Sequence, residues 1–292
     1  MGYAFALVTS IAYSIWYIGA GALLRIGGPG VSPLFLLFAI EAISAFLVFL
    51  VAGGKIGVGR LSDIKYPILS GLCFVAANYL FFVTIINSGV PAASSFASAE
   101  IVLFTALLWI TTGGYARRST YVLGAFVITI GLVSESLVVH TGSYALNFTT
   151  IGLGLGIATF AGLATYFYYR SVRTLEKKLT TMFYIQGIQV VVFFILLNLT
   201  KGGYPSLGIN VLFWPLLVGV GAALFLSFYF ETVMMKILTR FRGAIVATGY
   251  ILSDLQLLPV LFYFLAVDPS SWQVYAPGLV LITIGMALLE WR

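Results

Sequence analysis

Charged residues are scarce in this chain. They make up 8% of its 292 residues, whereas 61% are apolar and the mean hydropathy is +1.08. A soluble domain of this length could not bury so much apolar surface, so we expect lipid to surround the protein. The sequence also has only one cysteine and one histidine. No intramolecular disulfide can form, and Cys73 and His140 supply no catalytic set.

Long apolar stretches, separated by short polar breaks, fill most of the sequence. A membrane-spanning helix needs about 20 mostly apolar residues, and the breaks predict ten such spans. A closed barrel is excluded, because the stretches are continuously apolar rather than alternating. The predicted spans cover residues 3–24, 34–52, 67–86, 91–112, 120–139, 150–169, 180–199, 212–233, 243–266 and 273–291.

The basic residues are distributed unevenly between the two sets of loops. All of the 15 except Arg25 and Lys201 follow an even-numbered span or end the chain. The positive-inside rule therefore places the even-numbered loops and both termini in the cytoplasm. The first 24 residues lack a basic start and make a full span, so no cleavable signal peptide is expected. We predict an integral protein of the prokaryotic inner membrane, and its charge of +6 gives no reason to expect nucleic-acid binding.

The two halves of the sequence resemble each other. A shift of 154 residues aligns Glu100 with Asp254, and it aligns the run 127–131 with 281–285 without a gap. A shift of 150 residues aligns Gly71 with Gly221 and Tyr79 with Tyr229. Because five is an odd number of crossings, the second half must enter the membrane from the opposite side. We predict an all-α polytopic fold with inverted five-helix repeats at 1–140 and 150–292, joined by an outer linker at 141–149.

Short motifs lie at the ends and centres of several spans. They are Ser32-Pro33, Asn78-Tyr79, Pro91-Ala92-Ala93-Ser94, residues 161–170, Asp268-Pro269, and the small-residue segments 124–131 and 278–285. Through these motifs the chain resembles an EamA-type permease of the drug/metabolite transporter superfamily over nearly its whole length. The family often has Arg where this chain has Glu41, and often has Pro where it has Ile101 and Leu255. The resemblance implies export of small metabolites or amino acids through a cavity lined by spans 1, 3, 4, 6, 8 and 9.

Glu100 and Asp254 are expected near the middle of the membrane. A charged side chain there costs about 2.5 to 3.5 kcal/mol even on the lenient insertion scale, and no Lys or Arg lies deep in a predicted span. The countercharge must then be a proton, a metal cation, a cationic substrate or water in a cavity. The alternative is that both acids stay protonated and bind hydroxyl groups of neighbouring helices.

Other candidates surround these two acids. Phe96 and Tyr250 each precede an acid by four residues and so share its helix face. Glu41 is either a structural hydrogen-bonding group or a substrate contact, and its counterpart is the polar stretch Gln186 to Gln189. Glu135 and Glu231 fall nearer helix ends, where we expect them at the membrane interface. The remaining candidate site residues are Asn78, Tyr79, Tyr229, Tyr13, Trp16, Tyr17 and Tyr166.

These patterns predict a secondary active transporter that moves an amino acid or an organic cation by alternating access, with protons as a candidate coupling ion. An aromatic wall around an acid suits a cation, although core packing would also explain the aromatic residues. The alternatives are a passive facilitator of the same fold and, less favoured, an intramembrane aspartyl-type enzyme. Such an enzyme needs two carboxyl groups that share a proton, and neither Glu100 nor Asp254 has a Tyr-Asp or Gly-x-Gly-Asp context. No metal or cofactor is expected. The sequence has no glycine-rich phosphate-binding loop before a lysine, so an ATP-driven pump is not favoured. The predicted partners are a small-molecule substrate, the lipid bilayer and protons.

Overall fold

The computed structural model describes residues 2–28, 31–57, 61–112, 118–136, 148–175, 178–200, 203, 210–238 and 272–290. Within these ranges the chain forms nine helices and no strand, which confirms the all-helical prediction. The helices are α1 (Gly2–Gly27), α2 (Pro33–Val51), α3 (Leu61–Ser98), α4 (Glu100–Thr112), α5 (Arg118–Ser136), α6 (Phe148–Thr174), α7 (Lys178–Leu199), α8 (Phe213–Leu238) and α9 (Trp272–Glu290).

Six helical stretches of the described chain are long and apolar enough to cross a membrane. One of them, Asp63–Thr111, has 49 residues, more than twice the length that a single crossing needs. It holds both the third and the fourth predicted spans. The predicted ninth span, 243–266, lies outside the described residues.

Two backbone irregularities divide this long stretch. Gly89 has φ 86° and ψ 169°, a conformation that only glycine adopts readily, and it separates α3 into two helical segments. At Ala99 the hydrogen bonds tighten to a spacing of three residues, with the Ala99 amide donating to the Phe96 carbonyl at 3.2 Å. Such a 3₁₀ step ends one helix and starts the next. Glu100 therefore lies in the first turn of α4.

The described helices pack mainly in pairs, and α4 also packs on α6. Helix α1 packs on α8 and α3 packs on α6, while α2 contacts α7 and α5 contacts α9. The crossed pairs α3 with α7 and α2 with α8 are also in contact. We now exchange predicted spans that are five apart, with α9 counted as the tenth predicted span. The pair α1–α8 then becomes α6–α3, and the pair α3–α7 becomes α8–α2. The pairs α2–α7 and α5–α9 each map onto themselves.

Glycines mark the closest helix contacts. A Cβ atom on Gly131 would lie 2.7 Å from the carbonyl oxygen of Gly278, and one on Gly285 would lie 2.7 Å from that of Gly124. These glycines permit close packing, since α5 and α9 approach each other at their backbones. Gly71 lies in the same way against the Ile185 carbonyl on α7, and its aligned partner Gly221 lies against Ile43 on α2.

The ends of the helices meet in two separate groups. At one end Arg170 donates to the Tyr66 hydroxyl at 3.2 Å, and the Gly57 amide donates to Thr180 at 3.3 Å. At the other end the Ser88 and Thr150 hydroxyls are bonded at 2.9 Å. The first end carries the described basic side chains Lys55, Lys65, Arg170, Arg173 and Lys236, and the second carries Arg25.

Candidate functional site: a cavity among five helices

A cavity lies between α1, α3, α4, α6 and α8. It is partly open to the outside. Five residues from the predicted site line it: Tyr13, Trp16, Tyr17, Asn78 and Glu100. The rest of its wall consists of Phe74, Ala77, Phe81, Ala97, Ile157, Ala161, Leu224 and Phe228. This described wall contains one acidic side chain and no basic one.

Aromatic rings form one side of the cavity. Tyr13, Trp16 and Tyr17 come together because residues three and four apart share a helix face. The Trp16 ring stacks on Phe81 of α3, with 5.3 Å between centroids and 16° between planes, and Tyr17 lies 4.6 Å from the same ring. The indole Nε1 of Trp16 is buried and has no hydrogen-bond partner in the structure. It is a buried donor that no atom of the described chain satisfies.

Glu100 is the acid in the cavity wall, with 8% of its surface exposed. The Thr165 hydroxyl on α6 donates to its Oε1 at 3.5 Å. Gly162 lets α6 come this close, because a Cβ there would lie 2.9 Å from the Glu100 carbonyl oxygen. The position in the first turn of α4 also favours a negative charge, since helix N-termini carry partial positive charge. The backbone break at Ala99 thus places a carboxyl group where the helix itself helps to stabilise it.

Glu41 lies behind the cavity wall and is 1% exposed. The cavity-lining Asn78 donates its Nδ2 to Glu41 Oε1 at 3.2 Å and to Gln189 Oε1 at 2.9 Å. Gln186 donates to Ser44 at 2.6 Å in the same region. Asn78 thus joins Glu41 to Gln189, which belongs to the stretch predicted as the counterpart of Glu41 in the other half.

Glu231 is a third buried acid near the cavity, and the sequence prediction for it was wrong. It is 1% exposed rather than at an interface, and the Tyr13 hydroxyl donates to its Oε2 at 2.6 Å. Next to Glu231 on α8, Thr232 bonds with the Tyr168 hydroxyl, which also donates to the Phe228 carbonyl at 3.1 Å. Glu41 is thus hydrogen-bonded to Asn78 and Glu231 to Tyr13, and both of these partners line the cavity.

The other predicted site residues lie elsewhere. Phe96 is buried against Gly154 of α6, and Tyr79 is 42% exposed and lies outside the cavity wall. Tyr166 and Tyr229 are half-buried and lie outside the cavity wall. Tyr250 and Asp254 fall outside the described residues, so their place relative to Glu100 stays a prediction.

The internal repeat contained a signal for Glu231. The shift of 150 residues that aligns Gly71 with Gly221 also places Phe74 on Leu224 and Asn78 on Phe228. Phe74, Asn78, Leu224 and Phe228 all line the cavity. The same shift places the cavity residue Phe81 on Glu231. The inward stripe of α3 therefore predicts that Glu231 points toward the centre of the bundle.

Comparison with known proteins supports the fold alone. No family model and no curated protein matches the sequence. Among solved structures 27 chains match. One of them is a crystal structure of a protein that is described without a function. The similarity covers 98% of this chain and 96% of the other chain, with a TM-score of 0.63 and 16% sequence identity. The whole chain thus shares its fold with a solved protein, and identity this low carries no function across.

Proposed function

We propose that this chain is a secondary transporter that exports a small amino acid or organic cation by alternating access. The observation that carries the proposal is the cavity enclosed by α1, α3, α4, α6 and α8, with Glu100 in its wall. A buried carboxyl group among apolar helices is costly, and it is retained where it binds something. The helices around the cavity are α1, α3, α4, α6 and α8. The resemblance to EamA-type permeases implies a cavity lined by these same spans and by the ninth span.

The proposed transporter has ten membrane spans in two inverted repeats. Its support is the reciprocal glycine packing, in which Gly131 meets the Gly278 carbonyl and Gly285 meets the Gly124 carbonyl. Residues related by one shift make the same contact in exchanged roles, as an axis between two similar halves requires. Two halves that can rock about such an axis would open a central site to each side in turn.

The grouping of basic side chains supports cytoplasmic termini. The start of α1 packs against the end of α8, where Gly2 approaches Leu238, and this end of the bundle also carries most of the described lysines and arginines. The positive-inside rule assigns that end to the cytoplasm.

The chemistry of the cavity favours a substrate with a positive charge. Glu100 can accept hydrogen bonds from an ammonium group, and the stacked faces of Trp16 and Phe81 attract cations. The unpartnered Trp16 Nε1 could donate to an oxygen of the substrate. An amino acid offers both groups, whereas a strongly anionic molecule would meet no basic side chain in the described wall.

The test is exchange of radiolabelled compounds by purified protein in liposomes. Amino acids, organic cations and neutral metabolites should be screened by counterflow, and we expect exchange of at least one cationic or zwitterionic compound. Glu100→Gln should abolish it, whereas Asp63→Asn, which changes an acid outside the cavity wall, should not. If folded protein exchanges no compound of any class, or if Glu100→Gln exchanges as the original does, the proposal fails. Uptake against a gradient would separate a coupled carrier from a passive facilitator.

A further inference from the structure

Five polar side chains form a buried cluster between α2, α3 and α7, which we call the α2–α7 polar cluster. Its members are Glu41, Ser44, Asn78, Gln186 and Gln189. All are buried, with Asn78 the most exposed at 9% because it also lines the cavity. The cluster therefore touches the proposed substrate site through one side chain.

The cluster contains polar atoms that the protein itself does not satisfy. Glu41 Oε2 and Gln186 Oε1 are buried acceptors with no hydrogen-bond partner in the structure, and Gln189 Nε2 is a donor with none. Such groups are costly to bury without a partner. A proton on Glu41 Oε2 converts an unmatched acceptor into a donor.

No charged side chain of the described chain acts on Glu41, and Asn78 is its one polar contact. Helix α2 packs against α3, α7 and α8, so a basic group on any of them could have neutralised it. The titratable groups on these helices are Asp63, Lys65, Tyr66, Cys73 and Tyr79 on α3, Lys178 and Tyr184 on α7, and Tyr229, Glu231 and Lys236 on α8. Those with a described partner bind elsewhere, as Glu231 binds Tyr13 and Tyr184 binds Gly57.

The cluster also lies where the two halves of the chain meet. A shift of 145 residues places Glu41 on Gln186 and Ser44 on Gln189. The same shift relates Ile40 and Ile43 to Ile185 and Ile188, the residues that Gly221 and Gly71 contact. The bonds from Gln186 to Ser44 and from Asn78 to Gln189 both join one half to the other. A rocking motion of the halves must change them.

Resting on the transport function proposed above, we propose that Glu41 binds and releases a proton in each cycle, and that Asn78 transmits this change to the cavity. Ionised Glu41 holds the Asn78 amide through a charge-assisted hydrogen bond, which is roughly twice as strong as a neutral one. When a proton from cavity water adds to Glu41, an O–H bond forms, the negative charge is neutralised and the hold on Asn78 weakens. The amide is then free to bind substrate, and loss of the proton reverses the step.

The first test counts protons and needs no substrate. Purified protein in detergent is titrated between about pH 4 and pH 9, the range over which exposed and buried carboxyl groups ionise. Glu41→Gln should release one proton fewer than the original protein. The double variant Glu41→Gln with Gln186→Glu moves the carboxyl group to its symmetry-related position and should restore that proton. Identical titration of Glu41→Gln and the original protein would overturn the proposal.

The second test measures coupling in liposomes with the compound identified by counterflow. Transport by the original protein should respond to a pH gradient, whereas Glu41→Gln should run at one rate with and without it. The double variant should also lose the response, because the side chain at position 186 bonds to Ser44 and the cavity-lining Asn78 bonds to Gln189 instead. If Glu41→Gln keeps the full gradient response, Glu41 is not the coupling group even though transport stands. If no compound is transported, the proposed function fails and the titration alone decides whether Glu41 exchanges a proton.

Discussion

Replacing Gly131 with Ala should destabilise the protein through a collision between two helix backbones. The new Cβ would lie 2.7 Å from the Gly278 carbonyl oxygen, and ordinary contact begins at 3.4 Å, so α5 and α9 must separate by about 0.7 Å. A carbonyl in a helix cannot turn aside as a flexible side chain can. Such overpacking costs about 1 to 3 kcal/mol.

The matched control is Gly219→Ala on α8, where a Cβ would meet no atom within 4 Å. Both changes gain the same helix propensity, about 0.8 to 1.0 kcal/mol, so their difference isolates the collision. We expect Gly131→Ala to have an unfolding free energy about 1 to 3 kcal/mol below that of Gly219→Ala, measured by denaturation in mixed detergent micelles. Gly285→Ala should behave like Gly131→Ala, and the double variant should lose less than the sum, because one separation of the helices relieves both contacts.

Equal stability of Gly131→Ala and Gly219→Ala would refute this account of the α5–α9 contact. A large loss for Gly131→Ala with none for Gly285→Ala would contradict its reciprocal form, and with it the support that this contact gives to two related halves.

Three further substitutions can be measured in the same denaturation assay. Tyr13→Phe removes the hydroxyl that donates to Glu231 and should cost about 1.5 to 3 kcal/mol, whereas Tyr3→Phe at an exposed position should cost little. Gly89→Ala forces a side chain onto a residue with φ 86° and ψ 169° and should cost about 1 to 3 kcal/mol; stability equal to the original would contradict this. Ser32→Ala removes the side-chain acceptor for the Leu34 amide at the start of α2 and should cost about 1 kcal/mol, while Ser32→Asp should retain the cap.

Hydropathy located the described helices well, for a direct physical reason. Lipid cannot hydrogen-bond to the backbone, so each crossing must be a helix with about 20 apolar residues, and such stretches are visible in the sequence. The predicted spans 3–24, 34–52 and 180–199 differ by only a few residues from α1, α2 and α7. The internal shift of 154 residues also found glycines that the structure brings into reciprocal contact.

The tertiary structure decided which side chains face the cavity. A helix that is apolar all round shows little periodicity, because one face meets other helices and the other meets lipid, and both are apolar environments. Sequence analysis therefore gave Asn78 and Tyr79 as equivalent candidates, although of these two only Asn78 lines the cavity. It also predicted Glu231 at the membrane interface, whereas the Tyr13 hydroxyl binds Glu231 in the interior of the bundle. Distance from a helix end measures position along the helix axis. Which way a side chain points at that position depends on the neighbouring helices, and these come from distant parts of the chain.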